Sequence, residues 1–245
     1  MSPDQLAILT VLILVVAFLY SSVGHAGASG YIAVMSLVGL APTVIKPTAL
    51  VLNILVASIA TFQFWKGGHF SRRLFWPFAV LAIPFAFVGG YVNLPTQAFK
   101  VLVGIVLLFS ALRFLWKPAE DTVRTEPSRL VAVPLGAGLG LLAGLTGTGG
   151  GIFLTPLLLL MRWATTKQAA GVSALFILVN SVSGLLGNVS STQRIPSYAI
   201  PLAVAAVVGG TIGSHLGSRR LPHTAIKRLL AIVLLVAGTK LILTR

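Results

Sequence analysis

Residues 145–160 read LTGTGGGIFLTPLLLL, in which a cluster of glycines joins two apolar runs. These runs extend over residues 130–146 and 150–162. Adjacent glycines disfavour a continuous helix and leave backbone N–H groups uncovered by side chains. A second cluster, GHAGASG at residues 24–30, lies between apolar runs in the same way. The sequence therefore predicts two apolar regions in which a helix is broken.

The composition predicts an integral membrane protein. Apolar residues make up 56% of the 245 residues, charged residues make up 9%, and the mean hydropathy is +0.98. A soluble domain has roughly 45–50% apolar and about 25% charged residues, so a soluble enzyme and a disordered chain are both excluded. The absence of cysteine excludes disulfides, thiolate metal sites and cysteine catalysis. The net charge of +14 comes from residues scattered between apolar runs, which indicates membrane orientation and no nucleic-acid partner.

The predicted fold class is all-α, a polytopic protein with 8–10 membrane segments and broken or hairpin helices at the glycine clusters. No Lys or Arg precedes the first segment, so residues 6–20 indicate a retained membrane helix and not a signal peptide. The apolar segments cover residues 5–22, 26–40, 47–65, 74–92, 97–116, 130–146, 150–162, 168–188, 197–217 and 223–243.

The two halves of the chain resemble each other. LPTQAFK at residues 94–100 matches LPHTAIK at residues 221–227. ILVAS at residues 54–58 aligns with ILVNS at residues 177–181, and the same offset of 123 places Gly24 on Gly147 and Gly27 on Gly150. We interpret residues 1–116 as a first transmembrane repeat, residues 117–129 as a cytoplasmic linker, and residues 130–245 as a second transmembrane repeat.

Five segments in each repeat make the second copy inverted relative to the first. With both termini on one side, 13 of the 18 basic residues fall on the opposite side, whereas the split is 10 to 8 if segments two and seven do not change sides. The positive-inside rule favours the first arrangement, a multi-pass protein of the cell membrane with both termini outside. Segments one and two could span fully or form a hairpin whose tip stops inside the membrane, and segments six and seven could do the same.

The glycine clusters are the main candidates for a substrate site. A helix N-terminus offers free N–H groups and about half a positive charge, so two such termini at depth would bind an anion. Hydroxyls and a histidine could add donors, although the histidine could instead bond a backbone carbonyl. The candidate residues are Gly24, His25, Gly27, Ser29, Thr146, Gly147, Thr148, Gly149, Gly150 and Gly151.

Close helix packing is the alternative reading of a glycine in a membrane helix, and small residues spaced four apart favour it. We assign packing to two ladders, which are Gly136, Gly140 and Gly144, and Gly209, Gly213 and Gly217.

Two amides lie inside apolar segments, where an unbonded amide is costly. Asn53 and Asn180 either line the transport pathway or join helices, and we favour the pathway for Asn180. Lys46, just before Pro47, indicates the start of a helix at the outer surface, where lysines commonly extend to the interface.

The distribution of acidic residues excludes several mechanisms. Asp4, Glu120, Asp121 and Glu126 are the only acidic residues, and all lie in the terminus or the linker. A carboxylate proton relay, an acid–base pair and a carboxylate metal site inside the membrane are therefore excluded. No G-x-x-x-x-G-K-[ST] loop is present. We expect neither an enzyme nor a bound cofactor or metal.

The pattern resembles the sulfite exporter TauE/SafE family, also called the toluene-sulfonate uptake permease family. The second copy carries the resemblance, with GTGGG at residues 147–151, then Pro156, then AGVS at residues 170–173. The first copy departs from it, since residues 24–28 read GHAGA. The resemblance implies transport of sulfonates, sulfite or other small anions.

We therefore predict a secondary transporter of a small, sulfur-containing anion that works by alternating access. The coupling ion, if there is one, could be a proton or Na⁺, and the protein could form homo-oligomers in the lipid bilayer. Two alternatives stay open, an anion channel and a non-transporting membrane scaffold.

Overall fold

The computed structural model describes residues 3–22, 25–115, 125–192, 199–217 and 223–243. These residues form ten α-helices joined by short connections, and the described part contains no β-strand. The all-α prediction is confirmed. The helices are α1 (Pro3–Ser22), α2 (Ala28–Leu37), α3 (Pro42–Lys66), α4 (Arg72–Tyr91), α5 (Thr96–Leu115), α6 (Arg129–Thr146), α7 (Gly151–Leu160), α8 (Thr166–Thr192), α9 (Ala199–Gly217) and α10 (His223–Leu243).

Five helices, α1, α3, α4, α6 and α8, are long and apolar enough to cross a membrane. Their outward-facing side chains are also apolar, such as Val11 on α1, Phe62 on α3 and Val80 on α4. An apolar exposed surface suits lipid, since a protein in water keeps large apolar patches covered. These helices confirm the prediction of a polytopic membrane protein.

The second and seventh helices are short, as the sequence predicted. Each has ten residues, which gives a length of about 15 Å, half of the roughly 30 Å of hydrocarbon in a bilayer. Neither helix can cross that distance alone. Their lengths favour a glycine-rich break inside the membrane over full spans in segments two and seven.

Helix α3 begins five residues before the predicted start at residue 47. Pro42 occupies its first turn and Pro47 lies inside the helix. Proline fits a first turn because those N–H groups have no intrahelical partner, and both prolines lie near that end. Membrane helices tolerate an internal proline when neighbouring groups bond the freed carbonyl.

Two glycine ladders bring helices into backbone contact. A Cβ at Gly136 would meet the backbone of Phe78, and one at Gly140 would meet that of Ala82, so α6 packs against α4. In the same way Gly209 and Gly213 lie against α1, at Leu14 and Phe18. The packing interpretation is confirmed at these positions. Gly217 lies outside the residues whose surroundings are described.

Helices α3 and α8 pack antiparallel to each other. A Cβ at Gly171, near the start of α8, would lie 3.3 Å from Cβ of Phe64, near the end of α3. At the other end of the pair, a Cβ at Gly184 would lie 3.6 Å from Leu50 Cδ2. The middles of the two longest helices therefore meet.

Candidate substrate site

The candidate site contains polar side chains at the middle of the α3–α8 pair. Asn53 lies near the midpoint of α3, and Asn180 and Ser181 lie near the midpoint of α8. All three have 0% of their surface exposed. The midpoint of a membrane-spanning helix lies deep in the hydrocarbon layer, so the structure puts these polar groups far from water.

The second glycine cluster forms a hinge, residues 147–150, between α6 and α7. Gly147 ends α6 with a φ of 81°, and Gly150 precedes α7 with a φ of 81°. Gly149, between them, has a φ of 72°. Left-handed conformations are strained for residues with a Cβ, so this hinge needs glycine at all three positions.

The hinge meets the polar residues of α3 and α8 at Gly149. Asn53 Nδ2 donates a hydrogen bond to the backbone oxygen of Gly147, at 3.4 Å. A Cβ at Gly149 would lie 2.8 Å from Ser181 Oγ and 3.2 Å from Asn53 Nδ2. Three of the sequence-predicted positions, Asn53, Gly147 and Gly149, therefore come together, and Ser181 of α8 joins them.

Asn180 faces the same hinge by helix geometry. Residues four apart lie on one face of a helix. Phe176, four residues before Asn180, meets Gly150, where a Cβ would lie 2.9 Å from Phe176 Cε1. Gly184, four residues after Asn180, meets Gly144 of α6. A Cβ at Gly184 would lie 3.4 Å from Gly144 Cα. Asn180 thus lies opposite the segment between Gly144 and Gly150.

The polar atoms of this cluster are buried without hydrogen-bond partners. They are Asn53 Oδ1, Asn180 Nδ2, Asn180 Oδ1 and Ser181 Oγ. Leaving a buried polar group unpaired costs roughly 1–3 kcal/mol, so native proteins keep few of them and each needs an explanation. A ligand that binds at the hinge is one such explanation.

The N-terminus of α7 adds donors to the site. Phe153 N and Leu154 N both donate to Gly150 O at 3.1 Å, so the N–H groups of Gly151 and Ile152 lie ahead of the intrahelical bonds. No side chain caps this end of the helix. The positive end of the α7 dipole therefore lies beside the polar cluster.

The hydroxyls of Thr146 and Thr148 bond to each other and to α6. Their oxygens lie 2.9 Å apart, and Thr146 Oγ1 also donates to Leu142 O at 2.6 Å. Both residues are buried. In this structure the two threonines stabilise the turn after α6.

Gly150 and Gly151 contribute close packing. A Cβ at Gly150 would lie 2.9 Å from Phe176 Cε1 and 3.2 Å from Ala143 Cβ, while one at Gly151 would overlap the side chain of Ile177. The distinction between packing ladders and ligand-facing glycines is therefore less sharp than the sequence suggested, since Gly149 faces two polar side chains and Ile177, whereas Gly150 and Gly151 pack mainly against apolar side chains.

The first glycine cluster lies against tyrosine and serine side chains of α1 and α2. Gly24 lies outside the described residues. Gly27 precedes α2 with a φ of 100°, and α2 also lacks a side-chain cap. A Cβ at Gly27 would lie 2.8 Å from Tyr31 OH, and the Ser29 hydroxyl bonds to Tyr20 OH at 2.7 Å. His25 of this cluster is half-buried, and its backbone N–H donates to Tyr20 O at 3.0 Å.

Sequence reasoning missed the two tyrosines of the first cluster. Tyr20 and Tyr31 are fully buried, and Tyr31 OH has no hydrogen-bond partner. A buried tyrosine hydroxyl usually finds a partner. Tyrosines that lie next to a glycine cluster inside apolar segments could therefore have been predicted as polar residues of the site.

Lys46 corrects another expectation. It lies within α3 and is 5% exposed, and it does not extend to the interface. Its Nζ donates to three backbone oxygens at the end of α4, Gly89 at 3.0 Å, Gly90 at 2.8 Å and Val92 at 2.9 Å. An ammonium group has three donors, so the three bonds to the end of α4 use all the N–H groups of Lys46.

Comparison with known proteins covers nearly the whole chain. The family model described as "Sulfite exporter TauE/SafE" matches residues 9–241. "Probable membrane transporter protein y4hK" of Sinorhizobium fredii is 38% identical over 239 residues, which cover 96% of this chain and 97% of that protein. No solved structure matches the chain.

Two more distant relatives carry similar names. "Probable membrane transporter protein YjnA" of Bacillus subtilis is 24% identical over 94% of this chain and 96% of its own. "Probable membrane transporter protein MJ0441" of Methanocaldococcus jannaschii is 25% identical over 69% of this chain and 67% of its own. With the family match across residues 9–241 and ten helices in the described part, the chain belongs to the sulfite exporter TauE/SafE family of membrane transporters.

Proposed function

We propose that this protein is a secondary transporter of a small sulfur oxyanion, such as sulfite or a sulfonate, and that the anion binds at the hinge between α6 and α7. One observation carries the proposal: the fully buried, unpartnered Ser181 hydroxyl lies beside Gly149, just before the uncapped N-terminus of α7, and the next residue on α8, Asn180, is also fully buried with unpartnered polar atoms.

The chemistry of these groups suits an anion. Asn180 Nδ2, the Ser181 hydroxyl and the N–H groups at the start of α7 are all hydrogen-bond donors. A helix N-terminus favours a negative charge, and its effect is larger where water is excluded. An oxyanion with several oxygens can accept from all of these donors at once.

The choice of sulfur rests on the family. Its description names sulfite export, and we extend that substrate class to this chain. A sulfite or sulfonate group presents three oxygens on one face, which matches a small set of converging donors.

Helix pairing supports alternating access. Helix α1 packs against α9, and α6 packs against α4, which are equivalent pairs if segments one to five correspond to segments six to ten. Inverted repeats of this kind move substrate by rocking around a central site. Asn180 and Ser181 on α8 would hold the anion where that helix meets α3 of the other repeat.

Binding and counterflow test the proposal. The purified protein is titrated with sulfite, methanesulfonate, sulfate and acetate, and then reconstituted in liposomes preloaded with the anion that binds most tightly. We expect saturable uptake that is accelerated by the internal anion. Asn180→Leu should weaken binding at least tenfold, while Ser173→Ala on the same helix should not, because Ser173 already accepts from Thr155 Oγ1 at 2.8 Å.

The result also separates the alternatives. A channel would give flux that rises linearly with voltage and shows no counterflow. A protein that binds none of the four anions, or whose Asn180→Leu variant binds them like the parent, would refute the anion site.

A further inference from the structure

We propose that the same hinge binds a sodium ion, coordinated by the side-chain oxygens of Asn53, Asn180 and Ser181 and the backbone oxygen of Gly147. The inference rests on the proposed function, because the transported anion supplies the negative charge that offsets the cation.

The orientation of Asn53 is the first step. Its Nδ2 donates to Gly147 O, and because a carbonyl oxygen can only accept, the amide nitrogen must face it. Asn53 Oδ1 therefore points elsewhere, and it is buried with no hydrogen-bond partner. A sulfonate or a fully deprotonated sulfite offers only acceptor atoms, so it cannot satisfy this oxygen, whereas a cation can.

The neighbouring groups are also oxygens. Asn180 Oδ1 and Ser181 Oγ are unpartnered and fully buried. Gly147 lies at the C-terminal end of α6, where the last carbonyls of a helix are unpaired and the helix dipole is negative. Amide, hydroxyl and carbonyl oxygens are the ligands that hard cations take.

The hinge thus has two faces of opposite polarity. The end of α6 presents carbonyl oxygens and the start of α7 presents N–H groups, with Gly149 between them. In transporters with broken helices, the N-terminal ends hold the anionic group and the unwound carbonyls hold Na⁺. A cation and an anion could therefore bind side by side and leave the site neutral overall.

The ligand set favours a monovalent metal ion over a proton or a divalent ion. Amides and hydroxyls do not titrate near neutral pH, so they offer no group to carry a proton. The four acidic residues of the chain lie at the terminus and between residues 120 and 126. Without a carboxylate nearby, two positive charges in the hydrocarbon layer would be uncompensated.

This arrangement makes the two ions mutually dependent. Each ion would increase the affinity for the other by the same factor, and coupling of this kind is typically about 5- to 150-fold. The structure therefore assigns sodium coupling to the oxygen atoms that surround the hinge at Asn53, Asn180, Ser181 and Gly147.

Thermal unfolding of the purified full-length protein tests the site without an anion assay. Samples in NaCl, KCl and choline chloride at equal ionic strength are compared. We expect NaCl to raise the midpoint temperature above that in the other two salts, and Ser181→Ala to lose this increase. Ser183→Ala is the matched control, because its hydroxyl, two residues further along α8, donates to Ile83 O at 2.6 Å. Equal midpoints in the three salts, or a full sodium effect in Ser181→Ala, would overturn the proposal.

Asn53→Asp adds a test with opposite signs for the two ions. A carboxylate at this position should tighten sodium binding at least tenfold and weaken sulfite binding, because it attracts the cation and repels the anion. If Asn53 only made a structural hydrogen bond to Gly147 O, the variant would be less stable, but its affinities for sodium and for sulfite would not change in opposite directions. Loss of the sodium effect in a folded Asn53→Asp protein would count against the site.

Sulfite titrations in sodium and in choline buffers separate this inference from the proposed function. Equal sulfite affinity in both buffers, with no sodium effect on unfolding, overturns the sodium site and leaves anion transport standing. A sodium effect that depends on Ser181, in a protein that binds no anion of the panel, supports the sodium site and overturns the anion function.

Discussion

At the scale of single residues, satisfied and unsatisfied polar groups alternate along α8. Ser173 bonds to Thr155, and Ser183 bonds to Ile83 O. Asn180 and Ser181, between them, have side-chain atoms without partners. Because the hydrocarbon layer supplies no water to satisfy such groups, this difference distinguishes serines that bond to neighbouring helices from the two residues that we propose contact a ligand.

Asn180→Leu should stabilise the protein although it removes binding. Leucine has a similar volume and no polar atom to desolvate, so we expect the free energy of unfolding to rise by about 1–3 kcal/mol. Denaturant unfolding in detergent measures the change. Ser173→Ala should shift it in the opposite direction by roughly 0.6 kcal/mol, since that substitution breaks an existing bond. Destabilisation by Asn180→Leu would mean that Asn180 has a structural role.

Lys46→Met should destabilise the protein by about 3 kcal/mol or more. The substitution removes three hydrogen bonds from a buried ammonium group to the end of α4, and bonds to charged groups are each worth about 1.5–3 kcal/mol. Lys240→Met is the control, because Lys240 is exposed and donates to Leu37 O at 3.0 Å, a surface cap that should be worth about 1 kcal/mol or less. Equal losses in the two variants would refute the buried cap.

At the scale of elements, the glycines have different functions that only their neighbours reveal. The ladder on α6 lies against the backbone of α4, whereas Gly138 on the same helix has open space around it. The hinge glycines combine positive φ with close neighbours. Substitutions at matched positions can therefore separate the effects of packing and of conformation.

Gly140→Ala and Gly138→Ala should have opposite effects. A Cβ at Gly140 would strike the backbone of Ala82, and overpacking of this kind costs about 1–3 kcal/mol. Gly138→Ala meets nothing within 4 Å, so the better helix propensity of alanine should stabilise α6 by up to about 1 kcal/mol. Unfolding curves of the two variants check this, and similar stabilities would contradict the packing of α6 on α4.

Gly149→Ala should be more destabilising than Gly39→Ala. Both glycines have positive φ, so each alanine pays about 1–2 kcal/mol for the left-handed conformation. Only Gly149 has close neighbours, at 2.8 Å from Ile177 Cγ2 and from Ser181 Oγ, which should add about 1–3 kcal/mol. Equal losses of unfolding free energy would mean that the hinge is loosely packed. A leucine at Gly149 tests the fold and not the ligand, because it cannot fit beside Ser181.

At the scale of the whole molecule, the pairing of α1 with α9 and of α4 with α6 links the two halves. Each pair is close at the backbone, but the glycines at the contact lie on both α4 and α6 in one pair and on α9 in the other. The central pair, α3 and α8, contributes one long helix from each half. The repeat and its inversion stay predictions, and the orientation in the membrane can be measured.

Cysteine labelling tests the orientation, because the chain has no cysteine of its own. We expect Ser2→Cys and Thr244→Cys to react with a membrane-impermeant maleimide added to intact cells. Glu126→Cys, in the exposed residues before α6, should react only after the membrane is permeabilised. The reverse pattern would place the termini inside, and labelling of one terminus alone would refute an even number of crossings.

The sequence predicted most of the helices and both breaks. Apolar segments of the right length and glycine clusters are local patterns. They predict helices and breaks well in a membrane protein, because an unpaired backbone group is costly in hydrocarbon and apolar segments must therefore be helical. The start of α3 was placed five residues late, since two prolines at residues 42 and 47 both fit the first turns of a helix.

The candidate site was predicted only in part. Glycine clusters and buried amides were visible as residue types, but hydrogen-bond partners were not. Asn53 and Gly147 are 94 positions apart in the chain, and Lys46 caps a helix that ends 45 residues later. No periodicity specifies such contacts.

By itself, then, the sequence determined a helical membrane protein with a glycine break in each half, because hydropathy and glycine act on neighbouring residues. Only the tertiary structure decided that α3 and α8 cross at their middles and bring Asn53 and Ser181 to Gly149. It also decided that Gly150 and Gly151 pack against apolar side chains. The physical reason is that an unpartnered polar atom is defined by everything around it, and its surroundings come from helices far apart in the chain.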